Sequence, residues 1–248
     1  MVRVCYESWG ELWRKPPGSA RLDKARSAQR YRTAAVREQH QSCCSPLPHG
    51  RGSDHNAVRL GAVIRVSDAS SQLRPFDPLY APAVASWVRD ELELLWLAPS
   101  TVWPLTAAKV AGWTGPTDRP VLLFEPGESL PCGYAELNPL RDAKRQLWIG
   151  HLIIAPARRG CGLGRRFTRV LVEKAFADSR VQQVIMVVFP DNGPAIRCYK
   201  ANGFRVVRQE RHRFPPSRRV RVMLRMEITR AQALRVLTEP EAQELPLR

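Results

Sequence analysis

Leu147-Trp148-Ile149-Gly150-His151-Leu152-Ile153-Ile154-Ala155-Pro156-Ala157-Arg158-Arg159-Gly160-Cys161-Gly162-Leu163-Gly164-Arg165-Arg166-Phe167 contains the turn on which the fold reading depends. An apolar run, Leu147–Ile154, reads as a buried strand. A helical pattern follows from about Gly162 to Phe176, with Leu163, Phe167, Val170, Leu171 and Ala175 on one face. Between them lie three alternating glycines. A helix N-terminus presents unpaired N–H groups and roughly half a positive charge. Glycine lets the backbone approach a ligand closely and adopt positive φ. Arg158, Arg159, Arg165 and Arg166 bring full charges to the same turn. The combination describes an anion site, most simply one for a pyrophosphate.

Two familiar phosphate turns fit poorly. A P-loop ends in Gly-Lys-Ser/Thr, whereas Arg165-Arg166 follows here. A dinucleotide fingerprint has G-x-G-x-x-G near the first strand of its domain, whereas this G-x-G-x-G lies late. A glycine turn that merely tightens a loop is the plain alternative. The turn has company, however. About 30 residues on comes Asn192-x-x-Ala195-x-x-x-Tyr199-x-x-x-Gly203-Phe204. Asn192 suits an N-cap, Pro194 a first helical turn and Gly203 a left-handed C-terminal position.

With both motifs in this order, the chain resembles the GCN5-related N-acetyltransferase (GNAT) family. Arg159–Gly164 matches the family's Arg/Gln-x-x-Gly-x-Gly/Ala signature, and the Asn-to-Phe run matches its next strand and helix. The resemblance covers about residues 133–210 well and reaches 63–228 through the order of elements.

Outward from the turn, Ala62–Val66 reads as a first strand. Residues 76–98 read as a helix with Trp87, Val88, Leu92, Leu95 and Trp96 on a broad face. Thr106 caps a short helix through Trp113. Val121–Phe124, Gly133–Leu137, Val184–Val188, Phe204–Arg211 and Val220–Ile228 read as strands. The order β-α-α-β-β-β-α-β-α-β-β gives an α/β fold with a mixed sheet. The resemblance implies a mostly antiparallel GNAT-type central sheet with a splayed parallel strand pair, flanked by helices. Residues 1–60, rich in Arg, Ser and Gln, read as a basic, disordered or loosely helical extension. Residues 61–230 form the domain, and 231–248 form a tail or a last docked helix.

At 248 residues the chain can build one sizeable core. Its net charge of +16, much of it arginine, favours anionic partners. Basic clusters lack interleaved aromatics, so nucleic-acid binding is not the expectation. No run approaches the roughly 18 apolar residues of a membrane span, and the N-terminus is not a secretory leader. The six cysteines and five histidines are scattered without metal-ligand spacing. A cytoplasmic protein with free thiols and no metal is expected.

The resemblance also implies a mechanism. The pantetheine arm of acetyl-CoA lies between two splayed parallel strands, here Leu147–Ile154 and Val184–Val188, and pairs with the backbone of Leu152, Ile153 and Ile154. Arg159, Gly160, Cys161, Gly162, Leu163, Gly164 and Arg165 hold the pyrophosphate, and Asn192 touches the arm or serves only as a cap. Tyr199 matches the general acid that protonates the leaving thiolate; a phenol (pKa near ~10) exceeds a thiol (roughly 8.5). Where some relatives carry a basic Glu, this chain has Val187, and elsewhere Gly150-His151. That leaves His151 and Glu136 as two candidate bases, or a water chain. Cys161 and Cys198 lack partners for nucleophilic catalysis and read as packing.

The acceptor, by resemblance, is held by segments 76–113 and 211–220. Trp87, Trp96, Trp103 and Trp113 either line a pocket or pack the core, and the basic run Arg208–Arg221 either faces an acidic acceptor or is a solvated loop. The function implied is acetyl transfer from acetyl-CoA to a primary amine. A catalytically weak acyl-CoA sensor is the alternative. The oligomeric state is open between monomer and homodimer.

Overall fold

A computed structural model describes residues 72–140, 143, 145–215 and 219–238. The strand expected at Ala62–Val66, the extension 1–60 and the tail beyond Thr238 lie outside the described residues.

Seven strands form one sheet: β1 (Leu73–Pro75), β2 (Pro120–Leu123), β3 (Gly133–Pro139), β4 (Gln146–Ile154), β5 (Gln183–Val188), β6 (Arg205–Arg213) and β7 (Val220–Thr229), in the order β1-β2-β3-β4-β5-β7-β6. Only β4 and β5 run parallel. Six helices accompany it: α1 (Ala81–Ser86), α2 (Glu91–Leu97), α3 (Ala107–Ala111), α4 (Leu163–Ala177), α5 (Gly193–Ala201) and α6 (Arg230–Thr238). Mixed, mostly antiparallel and flanked by helices, this is the architecture expected.

Three local readings change. The single helix expected over 76–98 is two, because Asp90 is extended at φ −153° and restarts the chain as an N-cap. Its carboxylate accepts from Glu93 N–H at 2.8 Å, and Glu93 accepts in turn from Arg89 N–H at 3.1 Å. Those reciprocal bonds satisfy amides that one continuous helix would have paired internally. Thr106 does cap α3, but that helix closes at Ala111 rather than Trp113. Leu73–Pro75 is a short edge strand that the sequence pattern did not indicate. The docked-helix option for the tail is realised as far as Thr238: Ala233 is fully buried, and Arg169 on α4 donates to Leu237 O at 2.9 Å.

Each sheet face carries its own core. On one, Phe167, Leu171 and Phe176 of α4 pack on Ala135, Leu147, Ile149, Val184 and Met186. On the other, Val84, Trp87, Leu94, Val110 and Trp113 of the α1–α3 segment pack on Leu122, Tyr134 and Ile153. Each buried Phe or Leu contributes about 1.5–3 kcal/mol through removal from water.

The alternation breaks once in β4. From Tyr134 to Glu136 β3 advances two residues while β4, from Ile153 to Gly150, advances three. The extra residue is a bulge, and His151 takes up the left-handed backbone it needs at φ +45°. Leu152 then returns to the α4 side. A bulge bends and twists its strand, and β4 accordingly parts from β5. The two pair only at Gln146↔Gln183, Leu147↔Val184 and Trp148↔Ile185. Beyond that row β5 stays with β7 to Val188↔Leu224. The β5-facing edge of β4 from Ile149 to Ile154 has no strand neighbour among the described residues.

Gly150 is required here by space. A Cβ would stand 2.3 Å from the Trp148 ring, which lies over it. We expect Gly150→Ala to destabilise the domain by about 1–3 kcal/mol through overpacking, read as a lower urea midpoint. An unchanged midpoint contradicts this packing.

Candidate active site

The glycine loop follows β4 directly. Pro156–Arg158 make one turn of 3-10 helix, and Gly162 at φ +79° precedes α4. Gly160 has φ +80°. Nothing lies within 4 Å of where a Cβ would stand on either glycine, so backbone conformation, not crowding, selects them, and the space above stays open. After Arg159, the next N–H of the turn to be satisfied is that of Arg166, donating to Gly162 O at 3.1 Å. The N–H groups of Gly160, Cys161, Gly162, Leu163, Gly164 and Arg165 donate to no acceptor among the described residues. An array of free amides on an open turn suits a pyrophosphate.

The four arginines there divide. Arg158 pairs with Glu125 at 3.2 Å and Glu128 at 3.1 Å, and Arg166 with Glu125 at 3.2 Å. Arg159 is a tie: it donates to Ile154 O at 2.9 Å, Trp87 O at 2.8 Å and Glu93 at 2.8 Å. Arg165 is exposed and has no side-chain partner among the described residues. Of the loop's cations, it is the one already turned to solvent without a carboxylate. Cys161 is exposed and donates to Arg158 O at 3.1 Å. Cys198 is half-buried beside Thr168, and burial pushes its thiol up, as packing residues do.

Opposite the loop stands α5. Asn192 caps it, accepting from Ala195 N–H at 3.2 Å, so the cap role is realised. Tyr199 is half-buried against the core, with its ring 6.3 Å from that of Phe204. Its hydroxyl has no partner among the described residues. Burial, then the neighbouring Cys198, pushes the phenol well above its usual range, so it stays protonated through neutral pH.

The two base candidates meet. His151 Nδ1 lies 2.7 Å from Glu136 Oε1, and both side chains are almost wholly buried. Tyr134 donates to the same oxygen at 2.9 Å and Asn138 to Oε2 at 2.9 Å. The Trp113 ring stacks on His151 at 4.4 Å, and Trp148 meets it edge-on at 6.3 Å. Burial and the Glu136 charge drive the Tyr134 phenol well up. Sequence reasoning missed Tyr134 and Asn138, and it named Trp113 only as pocket lining or core. The signal was present: Tyr134-x-Glu136-x-Asn138 places three hydrogen-bonding side chains on one face of a strand. The bulge that adds His151 to that face had no comparable signal.

Within the segment read as a basic acceptor face, one carboxylate, Glu210, gathers nearby cations. Glu210 accepts from Arg208 at 2.8 Å and lies 3.1 Å from His212 Nε2; Arg225 binds Glu227. Burial alone would raise Glu210, but His212, Arg208 and Arg225 hold it below the usual range. Of the tryptophans, Trp87 and Trp113 pack in the core, Trp96 donates to Asp191 at 3.1 Å, and Trp103 is exposed. Among the described residues no cluster of His, Cys, Asp or Glu is fit to hold a metal, and no helix is long and apolar enough to cross a membrane.

A free-amide loop beside a parted parallel strand pair is an arrangement suited to an acyl-CoA. Residues 86–204 match the model of the Acetyltransferase (GNAT) family. Solved structures share the fold. The aminoglycoside acetyltransferase AAC(6')-Ib in complex with coenzyme A is 23% identical, with a TM-score of 0.53 over 66% of this chain and 97% of that one. The spermidine N-acetyltransferase from Vibrio cholerae, in complex with CoA and spermine, is 17% identical, with a TM-score of 0.55 over 66% and 99%.

Gly162→Asp tests the loop. An L-residue at φ +79° costs about 1–2 kcal/mol, and its carboxylate repels a phosphate. We expect calorimetric coenzyme A binding to vanish while the circular dichroism spectrum persists. Unchanged affinity removes the loop from the cofactor site.

Proposed function

We propose that this protein transfers an acetyl group from acetyl-CoA to a primary amine by direct attack in a ternary complex. The observation that carries the reading is the parting of β4 from β5 immediately before a loop of unsatisfied amides. Acetyl-CoA, when bound, supplies an activated thioester. The β5-facing edge of β4 at Leu152, Ile153 and Ile154, apart from the Ile154 carbonyl that Arg159 holds, offers it a strand to pair with, which is recognition by β-augmentation. The amides of Gly160–Gly164 and the exposed Arg165 take the phosphates. Arg159 shapes the loop from behind, and Asn192 fixes the start of the Tyr199 helix.

Tyr199 donates to the leaving sulfur. Its raised pKa keeps the proton in place before reaction, and its open hydroxyl is available as a donor. Glu136 and His151 act as one unit rather than as rivals. Tyr134 and Asn138 donate to the Glu136 carboxylate, and His151 Nδ1 lies against the same group. In the tautomer that places its proton on Nδ1 toward Glu136, His151 presents Nε2 as the lone pair that takes a proton from the amine, directly or through water. A primary α-amine, with a reference pKa near ~8, makes smaller demands on that base than a lysine near ~10.4. The two neighbours above, named for aminoglycosides and spermidine, suggest small multiply aminated molecules as the first acceptor panel.

The burial of the dyad and the valine at position 187 favour the second reading, an acyl-CoA sensor. A thiol-release assay over an amine panel separates them, since a sensor binds coenzyme A without turnover. For the enzyme, Tyr199→Phe and Glu136→Gln each lower kcat by about 100-fold or more with little change in coenzyme A affinity. Full activity in either variant takes that residue out of the mechanism.

A further inference from the structure

The helix α2 is fastened at both ends to the two walls of the strand gap. Near its start, Glu93 binds Arg159 of the glycine loop at 2.8 Å. Near its end, Trp96 Nε1 donates to Asp191 at 3.1 Å. Asp191 directly precedes Asn192, the cap of the Tyr199 helix. Leu95 and Trp96 also pack on Phe189 and Phe214, just past β5 and β6. Seven residues thus span from the loop that ends β4 to the loop that ends β5.

The Arg159 fastening is the tighter. One half-buried guanidinium joins three elements: the last carbonyl of β4, the carbonyl of Trp87 just after α1, and the Glu93 carboxylate of α2. Glu93 is shared with Arg89 at 2.7 Å. Burial would raise its pKa, but Arg89 and Arg159 hold it below the usual carboxylate range, so it is charged at neutral pH. The Arg159 backbone meanwhile belongs to the turn, its N–H bonded to Pro156 O at 3.2 Å. Whatever immobilises the turn immobilises the root of this side chain.

We infer that Glu93 is a positioning residue, coupling occupancy of the phosphate loop to the placement of α1 and α2. This rests on the acetyl-CoA reading of the loop. A phosphate held by the Gly160–Gly164 amides fixes the Arg159 backbone, and the guanidinium passes that order to the Trp87 carbonyl and to Glu93. Helices α1 and α2 cover the same sheet face as the Glu136–His151 dyad. Their placement then sets the wall an acceptor amine meets, and the amine is received on a surface that the donor has already ordered.

The test is hydrogen exchange by mass spectrometry on the full chain, with and without coenzyme A. In the wild type, coenzyme A protects the amides of 160–166 and slows exchange in 91–97 by about tenfold, the size of an ordinary coupling between sites. In Glu93→Gln the loop is still protected, but the slowing in 91–97 falls to about twofold or less; Glu93→Asp, which keeps the charge, restores part of it. Trp96→Phe controls for general loosening. It releases the other end of α2, raising exchange with or without ligand, yet retains the coenzyme-dependent slowing. Loop protection without any response in 91–97 of the wild type overturns the coupling alone. An equal response in wild type and Glu93→Gln also overturns it. No loop protection at all removes the cofactor site and this inference together.

Discussion

An extra residue in β4, His151 at φ +45°, places Gly150 and His151 both on the Glu136 side of the strand and bends β4 away from β5. Two consequences follow from that single insertion. A buried imidazole is delivered to a carboxylate that Tyr134 and Asn138 already hold. Among the described residues, the facing edge of β4 is also left without a strand neighbour for half a dozen residues, Ile149 to Ile154. Unpaired backbone in a sheet interior is costly unless something completes it, and on the proposed reading the pantetheine arm, with its two amides, does so in the manner of a strand. The left-handed conformation of a histidine costs on the order of 1–3 kcal/mol. It persists because Trp113 and Trp148 pack the ring, Glu136 anchors it, and Gly150 leaves room for Trp148.

Charge does different work on the two sides of the glycine loop. Four arginines in nine residues suggest a uniform positive field. The structure instead divides them: Arg158 and Arg166 hold the β2–β3 turn through Glu125 and Glu128, Arg159 holds the α1–α2 segment, and Arg165 faces solvent. On the proposed reading the loop's attraction for phosphate therefore rests mainly on backbone amides and the α4 terminus, with Arg165 as the loop arginine that has no carboxylate partner among the described residues. Ion pairs of this exposure contribute little to stability individually. Their importance is geometric, since they fix where the loop sits relative to its neighbours.

The legible parts of the molecule are those whose physics is local in sequence. Glycines at positive φ, a helix face of period 3.6 and an Asn–Pro…Gly helix announce themselves within a dozen residues, and the strand–turn–helix of β4 and α4 and the helix carrying Tyr199 stand where those signals put them. The break between α1 and α2 was legible too, in Asp90-x-x-Glu93, but the apolar stripe of Trp87 to Trp96 argued more loudly for one helix. What could not be read is non-local. That His151 and Glu136 are partners depends on a register and a bulge. That Arg159 reaches Glu93, 66 positions away in sequence, depends on the packing of α2 over the sheet.

The central claim is that the parted edge of β4 and the glycine loop form one continuous acyl-CoA site. Backbone NMR during titration with acetyl-CoA tests it most directly. The account predicts that the largest amide shifts fall together, at one saturating concentration, on Leu152–Ile154 and on Gly160–Arg165. Saturable binding that leaves the β4 amides unmoved would contradict it.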